Sequence, residues 1–285
     1  MNEIKEYSQK VERLLKEIEI LLRGGKVRNP GDDELTAIER SSRDLLMYYS
    51  SPKASDNSRL IDNNLRTSLV SLGVKLHNKV RNIIDANQTQ NKIRAILRAT
   101  AAYMFKIYGD MVAKLFAACI KLFSKSGREM LHFNELTEVA RNCLKEVDLM
   151  WKGTAPNMIN GLTNLEVEDI KTALCLSYID LVHSYSDDSK KVPDMEIALN
   201  NCLNCIDGLP MNFRLILAEI SMQIGQRIAD SRCNIIESLK FLKIALDALK
   251  FSNVEDEVDN RTKLRFYELR VKTYLMQSYI YSEMK

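Results

Sequence analysis

Between Asp194 and Lys250, small and bulky side chains recur at a spacing that leaves the chain few ways to fold. Ala198, Cys202 and Cys205 follow one another at intervals of four and three, and so do Ser238, Leu242 and Ala245. Those intervals put each set on one face of a helix. The small side chains admit a neighbouring helix to close range, and the bulky one between them fills the gap. Gly208 and Pro210 break the first of these helices. Ile224-Gly225 with Ile228 supplies close-contact spacing on the helix between the two sets. The region therefore predicts a helix, a turn and two more helices.

Such a pattern is that of the second helix of a tetratricopeptide-type repeat. The rest of the chain agrees with an all-α reading. In 285 residues there are only 5 Pro and 10 Gly, which favours long helices with short connections over many-turned sheets. Hydrophobic residues make up 46%, enough for a continuous core, and the net charge of +3 is too mild to imply a nucleic-acid partner by itself. No apolar run approaches the roughly 18 residues that span a bilayer. Five glutamates in the first twenty residues are unlike a secretory signal. The six cysteines sit inside helical patterns, as expected of a reduced, intracellular setting.

Along the chain, a first helix is predicted over 3–23. Ile4, Tyr7, Val11, Leu14, Ile18 and Leu21 form a heptad seam that stops at Gly24-Gly25. The seam either docks on the body of the protein or serves as a partner-binding arm. A second helix begins after Pro30-Gly31 and runs to about Tyr49, and the polar stretch 50–58 reads as a mobile loop. Helices over about 59–85 and 89–107 follow. Residues 110–124 are apolar nearly all round, as in a helix buried between others, and Ser126-Gly127 closes it. Another helix covers about 132–151, a second loop runs from Lys152 to about Thr163, and helices are expected over about 165–186, 194–207, 211–229, 233–250 and 257–284. The last is still running at Lys285. A hairpin array ending mid-pattern leaves one face uncovered, so the expectation is an N-terminal piece of a longer protein or an end that packs on a partner. The predicted architecture is a helical-hairpin, tetratricopeptide-like solenoid over 111–285, with a less regular N-terminal helical bundle over 1–110.

Little in the sequence points to catalysis. Cys202-Leu203-Asn204-Cys205 could ligate zinc or exchange thiols, but there is no second CxxC and no nearby histidine. The pair also falls late in its helix, on core positions of the repeat pattern. His77, His132 and His183 have no partner at metal-binding spacing, and neither a GxSxG nor a phosphate-cradling glycine motif occurs. The expectation is a non-enzymatic chain with no cofactor and no metal.

Two surfaces stand out instead. From Arg59 to Lys106, nine basic residues (59, 66, 75, 79, 81, 92, 94, 98, 106) face only Asp62 and Asp85, so +9 − 2 = +7. Within it Lys75 and Lys79, and separately Arg94 and Arg98, share helical faces, with Arg81 nearby. The stripe is either a solvated face or a phosphate-binding one using Lys75, Lys79, Arg81, Arg94 and Arg98. The last helix carries Phe266, Tyr267, Tyr274, Tyr279 and Tyr281 among leucines, a composition typical of interfaces, although packing against a further repeat would look the same.

The run Glu237-Ser238-Leu239-Lys240-Phe241-Leu242-Lys243-Ile244-Ala245-Leu246-Asp247, an acidic linker, and then Tyr274-Leu275-Met276-Gln277-Ser278-Tyr279-Ile280-Tyr281 resembles the early repeats of the Zip-four/Spo-twenty-two family of meiotic scaffolds. Leu72-Gly73-Val74-Lys75-Leu76-His77-Asn78 resembles the segment that opens that family's domain. The helices around 111–123 and 170–185 fall in the same order. The resemblance covers about 65–285. It implies a non-enzymatic scaffold on meiotic chromosomes in the nucleus, linking crossover promotion to synaptonemal complex assembly, with an XPF-like protein pair among its partners. It supplies no catalytic residue.

The sequence thus leaves two expectations. One is a protein-interaction scaffold that binds partners through Ile4, Tyr7, Val11 and Leu14, or through the tyrosine-rich last helix. The other is a nucleic-acid-binding helical domain that uses the 59–106 stripe.

Overall fold

The computed structural model describes residues 2–22, 32–59, 61–81, 83, 87–154, 156–186, 188–231, 234–250 and 259–283. Among them there are thirteen α-helices, two short 3-10 turns and no strand, so the fold is all-α and built of helical hairpins. The chain divides into two compact units, Met1–Ile170 and Lys171–Lys285. Gly24-Gly25, Pro30-Gly31, Asn82, Asp85, Cys233 and the acidic linker before the last helix lie outside the described residues.

The first unit contains α1 (Asn2–Leu22), α2 (Asp32–Tyr49), α3 (Pro52–Ser58), α4 (Asn63–Arg81), α5 (Gln88–Tyr108), α6 (Ala113–Met130), α7 (Thr137–Lys152) and α8 (Pro156–Asn160), with a 3-10 turn at Asn134–Leu136. It also contains the start of α9 (Asn164–Ser184). A boundary near residue 110 was the expectation from sequence. The structure moves it into α9, because Gly109 merely ends α5 while α6 packs back along α5 and α7 along α6.

At the centre of this unit is α5, where every residue from Ala95 to Phe105 is buried and which touches α2, α3, α4 and α6. The buried-all-round helix is therefore α5 rather than the 110–124 stretch. There, α6 sets buried Phe116, Ile120 and Phe123 against exposed Lys114, Lys121 and Lys125. Asn87 and Gln90 form a reciprocal capping box that starts α5, with bonds of 2.9 and 3.0 Å. The stretch read as a mobile loop is helix α3. Pro52 occupies its first turn, where the missing N–H costs nothing, and Ala54 is fully buried.

The predicted seam of α1 is docked on α2 and α4, with Ile4, Val11, Leu14 and Ile18 each at most 1% exposed. Each such side chain contributes about 1.5–3 kcal/mol on burial.

The α6/α7 pair is a hairpin of close approach. A methyl group on Gly127 would stand 2.8 Å from Cγ of Leu144 and 3.1 Å from the Ala140 carbonyl oxygen. Gly127 does not close the helix as Ser126-Gly127 predicts; it lies inside α6, which continues to Met130. It is there to let α7 approach.

The second unit contains the end of α9, a 3-10 turn at Ser189–Lys191, α10 (Val192–Cys205), α11 (Met211–Asp230), α12 (Ile235–Ala248) and α13 (Asn260–Glu283). Ala198, Cys202 and Cys205 are buried, as their spacing predicts, and Gly208 takes a positive φ of 86° that lets the chain turn into α11. The α11/α12 hairpin repeats the close approach. A methyl on Gly225 would lie 3.1 Å from both Leu242 Cδ2 and the Ser238 carbonyl oxygen, and the Ser238 hydroxyl donates to the Gly225 carbonyl at 2.7 Å. Buried Arg214 closes the unit's turn, donating to Asp207 and, at 3.3 Å, to the carbonyl of Ala248.

At an ordinary helix interior, glycine to alanine gains about 0.5–1 kcal/mol. Gly127→Ala is expected to do the opposite, losing about 1–3 kcal/mol through overpacking against Leu144. Urea unfolding measures the sign; a stabilised variant would mean that the two helices are not held at this distance. Leu14→Ala is expected to cost about 2–5 kcal/mol in the same assay, as for a packed core leucine, whereas a free arm would lose almost nothing.

Candidate interaction surfaces

The first candidate surface, the α1 seam, is not open. Ile4, Val11 and Leu14 face this chain's own α2 and α4, and Tyr7 stacks on Tyr48 with ring centroids 3.7 Å apart. As a partner-binding arm the seam is corrected by the structure, because its apolar face is already covered.

The basic stripe is likewise turned inward over much of its length. Arg98 is 6% exposed and donates to Glu129, which Arg94 also approaches. Arg94 further donates to the Ile83 carbonyl at 3.2 Å. Lys79 pairs with Glu19 at 3.1 Å, Lys106 pairs with Glu146, and Lys92 bridges Glu39 at 2.8 Å and Glu135 at 2.5 Å. Five of the nine cations thus have carboxylate partners in the same unit. Lys75 and Arg81 are exposed on α4, and Arg98 and Arg94 do not join them in one exposed row. The acids that neutralise the stripe lie outside the 59–106 window, which is why a windowed charge count overstates it.

Half-buried His77 has no partner on Nδ1, and burial, then Arg81 and Arg98, lower its pKa. His132 and His183 are exposed on separate elements. A polar cleft of about 340 Å³ lies beside His132, lined by Gln88, Thr89, Lys92, Phe133, Asn134 and Glu135. Its one lysine is the one held between Glu39 and Glu135.

Cys202 and Cys205 are buried, and Cys202 faces Cys175 of α9, each thiol lying within 4.0 Å of the other's carbonyl oxygen. The hydrogen bond to Cys175, then burial, raise the Cys202 thiol above its ordinary value, the reverse of what thiol exchange needs. Cys175 was not singled out from sequence; only packing brings it to the pair. Among the described residues no three metal-ligating side chains converge.

The terminal helix α13 has two faces. Phe266, Leu269, Thr273 and Ile280 are buried against α11 and α12. On the opposite face Leu264 is 69% exposed, Tyr267 45%, Val271 56%, Tyr274 47% and Leu275 66%. Tyr279 and Tyr281 are exposed near its end. Four of the five aromatic residues read from sequence thus belong to the exposed side, whereas Phe266 belongs to the core. The missed members are Leu264, Val271 and Leu275, whose spacing with Tyr267 and Tyr274 marks a helical stripe.

Comparison with known proteins adds no identity. No family model and no curated protein matches the chain. Among solved structures it is similar to one described as "Computational Design of Self-Assembling Cyclic Protein Homooligomers", 12% identical over 99% of both chains with a TM-score of 0.24, a likeness too low to bear on fold or function. No helix among the described residues is long and apolar enough to cross a membrane.

The buried thiols carry a pH dependence. Burial pushes Cys119 and Cys143 up to about 12. An unfolded thiol ionises near about 8.5. Holding these groups protonated therefore contributes stability that is complete below that value and is lost as pH rises through the alkaline range. The urea midpoint is expected to fall between pH 7.5 and 9.5, and to fall less in a Cys119→Ala/Cys143→Ala variant. An equal fall in both proteins would assign the effect to other groups.

Proposed function

We propose that this chain is a non-enzymatic protein-interaction scaffold whose contact surface is the outer face of α13. The observation that carries this reading is the stripe Leu264, Tyr267, Val271, Tyr274 and Leu275, uncovered on a helix whose other face is core. A contiguous exposed apolar stripe of this kind marks an interaction site, and tyrosine suits it because the ring is apolar while the hydroxyl stays wet. The helices beneath, α11 and α12, are closely packed on each other and on α13, an arrangement that favours a preorganised surface and a small ordering cost on binding.

The meiotic setting is a proposal supported by the resemblance of 237–247 and 274–281 to the Zip-four/Spo-twenty-two family. In that setting the chain would act on chromosomes in the nucleus and an XPF-like pair would be among its partners. The nucleic-acid alternative has less support, since the stripe it needs is largely paired within the first unit.

The test is a nuclease-treated pull-down from meiotic extract with the wild-type chain and with Val271→Glu/Tyr274→Glu. A stoichiometric protein retained by the wild type and lost from the variant is the expected result. Recovery that collapses with nuclease and ignores the variant would replace the scaffold with a nucleic-acid-binding domain.

A further inference from the structure

The charges around the α13 stripe say what kind of partner fits it. Arg261, Arg265 and Lys272 run along one edge by their helical spacing, with Arg265 paired to Glu219 of α11, and Arg270 runs along the other, all four exposed. The Arg270 guanidinium lies 6.0 Å from the centroid of the Tyr274 ring. Lys250, at the end of α12, is held above its ordinary value chiefly by Asp247, with Tyr274 close enough to contribute. Among the described residues of α13 between Leu264 and Leu275 the one exposed acid is Glu268, and Lys272 pairs with it at 2.6 Å. Four cations, Arg261, Arg265, Arg270 and Lys272, thus stand against two acids, Glu219 and Glu268, so the apolar ridge runs between edges of net positive charge.

The ridge is also the right shape for one secondary structure. From Leu264 to Tyr281 the helix that carries it is about 26 Å long at 1.5 Å per residue. Its members recur every three or four residues, the ridge period that a second helix packs against. Ser278 and Ser282, exposed towards the end of the stripe, leave room for a close approach. No strand edge exists among the described residues for an extended peptide to pair with. The inner face of α13 already packs on helices α11 and α12, and a helix laid on the outer face would repeat that geometry.

We infer that the outer face of α13 takes an amphipathic α-helix from a partner protein, with leucine-like residues on its apolar seam and Glu or Asp along both edges. This rests on the scaffold reading above and adds the chemistry of the partner. Apolar burial supplies the affinity, and the acidic edges fix orientation and exclude basic helices.

The probes are two synthetic helices of equal length and identical leucine seam, one with glutamates on both edges and one with lysines. Binding is followed by fluorescence anisotropy on the intact 285-residue chain. The glutamate helix is expected to bind at least about tenfold tighter than the lysine helix at low salt, equivalent to a few exposed ion pairs, and the gap is expected to close at about 0.5 M salt. Arg270→Glu/Lys272→Glu, both at exposed positions, is expected to invert the preference while lowering the thermal midpoint only slightly, since the Lys272–Glu268 pair it removes is exposed, and Tyr274→Glu to remove binding of either helix.

Equal binding of the two helices would overturn the charge assignment while leaving the scaffold reading in place, and so would binding of neither while the pull-down still returns a Tyr274-dependent protein. Concentration-dependent dimerisation in sedimentation, lost in Tyr274→Glu, would give the face to a second copy of this chain instead. Tyr274-dependent co-sedimentation with phosphatidylserine vesicles, without peptide binding, would give it to a membrane surface and overturn the inference.

Discussion

Helix-to-helix contact at small residues is the constraint on which both units depend. Gly127 against Ala140 and Leu144, and Gly225 against Ser238 and Leu242, are the same contact made twice, with the small residue of the second helix at the same distance along the chain from each glycine. Where a side chain is missing, two backbones approach until a carbonyl oxygen and a leucine fill the space a methyl group would take. At that range dispersion contacts are dense, and the Ser238 hydroxyl of one helix can reach the Gly225 carbonyl of the other.

Electrostatics in the first unit follow from packing rather than the reverse. Once α5 is surrounded, Arg98 is buried and must be paired, and Glu129 of α6 does it. Removing that acid would leave a charge in a low-dielectric interior, so the pair holds α6 in register as much as it adds stability. Lys92 between Glu39 and Glu135, and Lys106 with Glu146, tie α5 to α2 and to the turn and helix that follow α6. A window of strong positive charge in the sequence becomes, in the fold, a set of cross-links between helices.

In the second unit the same logic produces a surface. α13 buries Phe266, Leu269 and Ile280 against the hairpin, which fixes its rotation and leaves Leu264, Val271 and Tyr274 facing outward between arginines. A helix apolar on two sides has a weak net moment, so periodicity cannot separate its core from its contact face; only the neighbouring helices do.

By itself, the sequence determined that the chain is helical, where most helices lie, and that residues 194–250 form close-packed hairpins. The spacing of Ala198, Cys202 and Cys205, and of Ser238, Leu242 and Ala245, is a local property and survives being read without a fold. It also determined that α1 has one apolar seam. Tertiary structure decided what depends on partners distant in sequence. It showed that the seam is covered by α2 and α4, that α5 rather than α6 is buried all round, and that Gly127 joins helices instead of ending one. It drew the boundary in α9, turned Arg98 inward and brought Cys175 to Cys202. The physical reason is common to all of these: spacing specifies a face, but only the neighbours that pack against that face decide whether it becomes core, cross-link or contact surface.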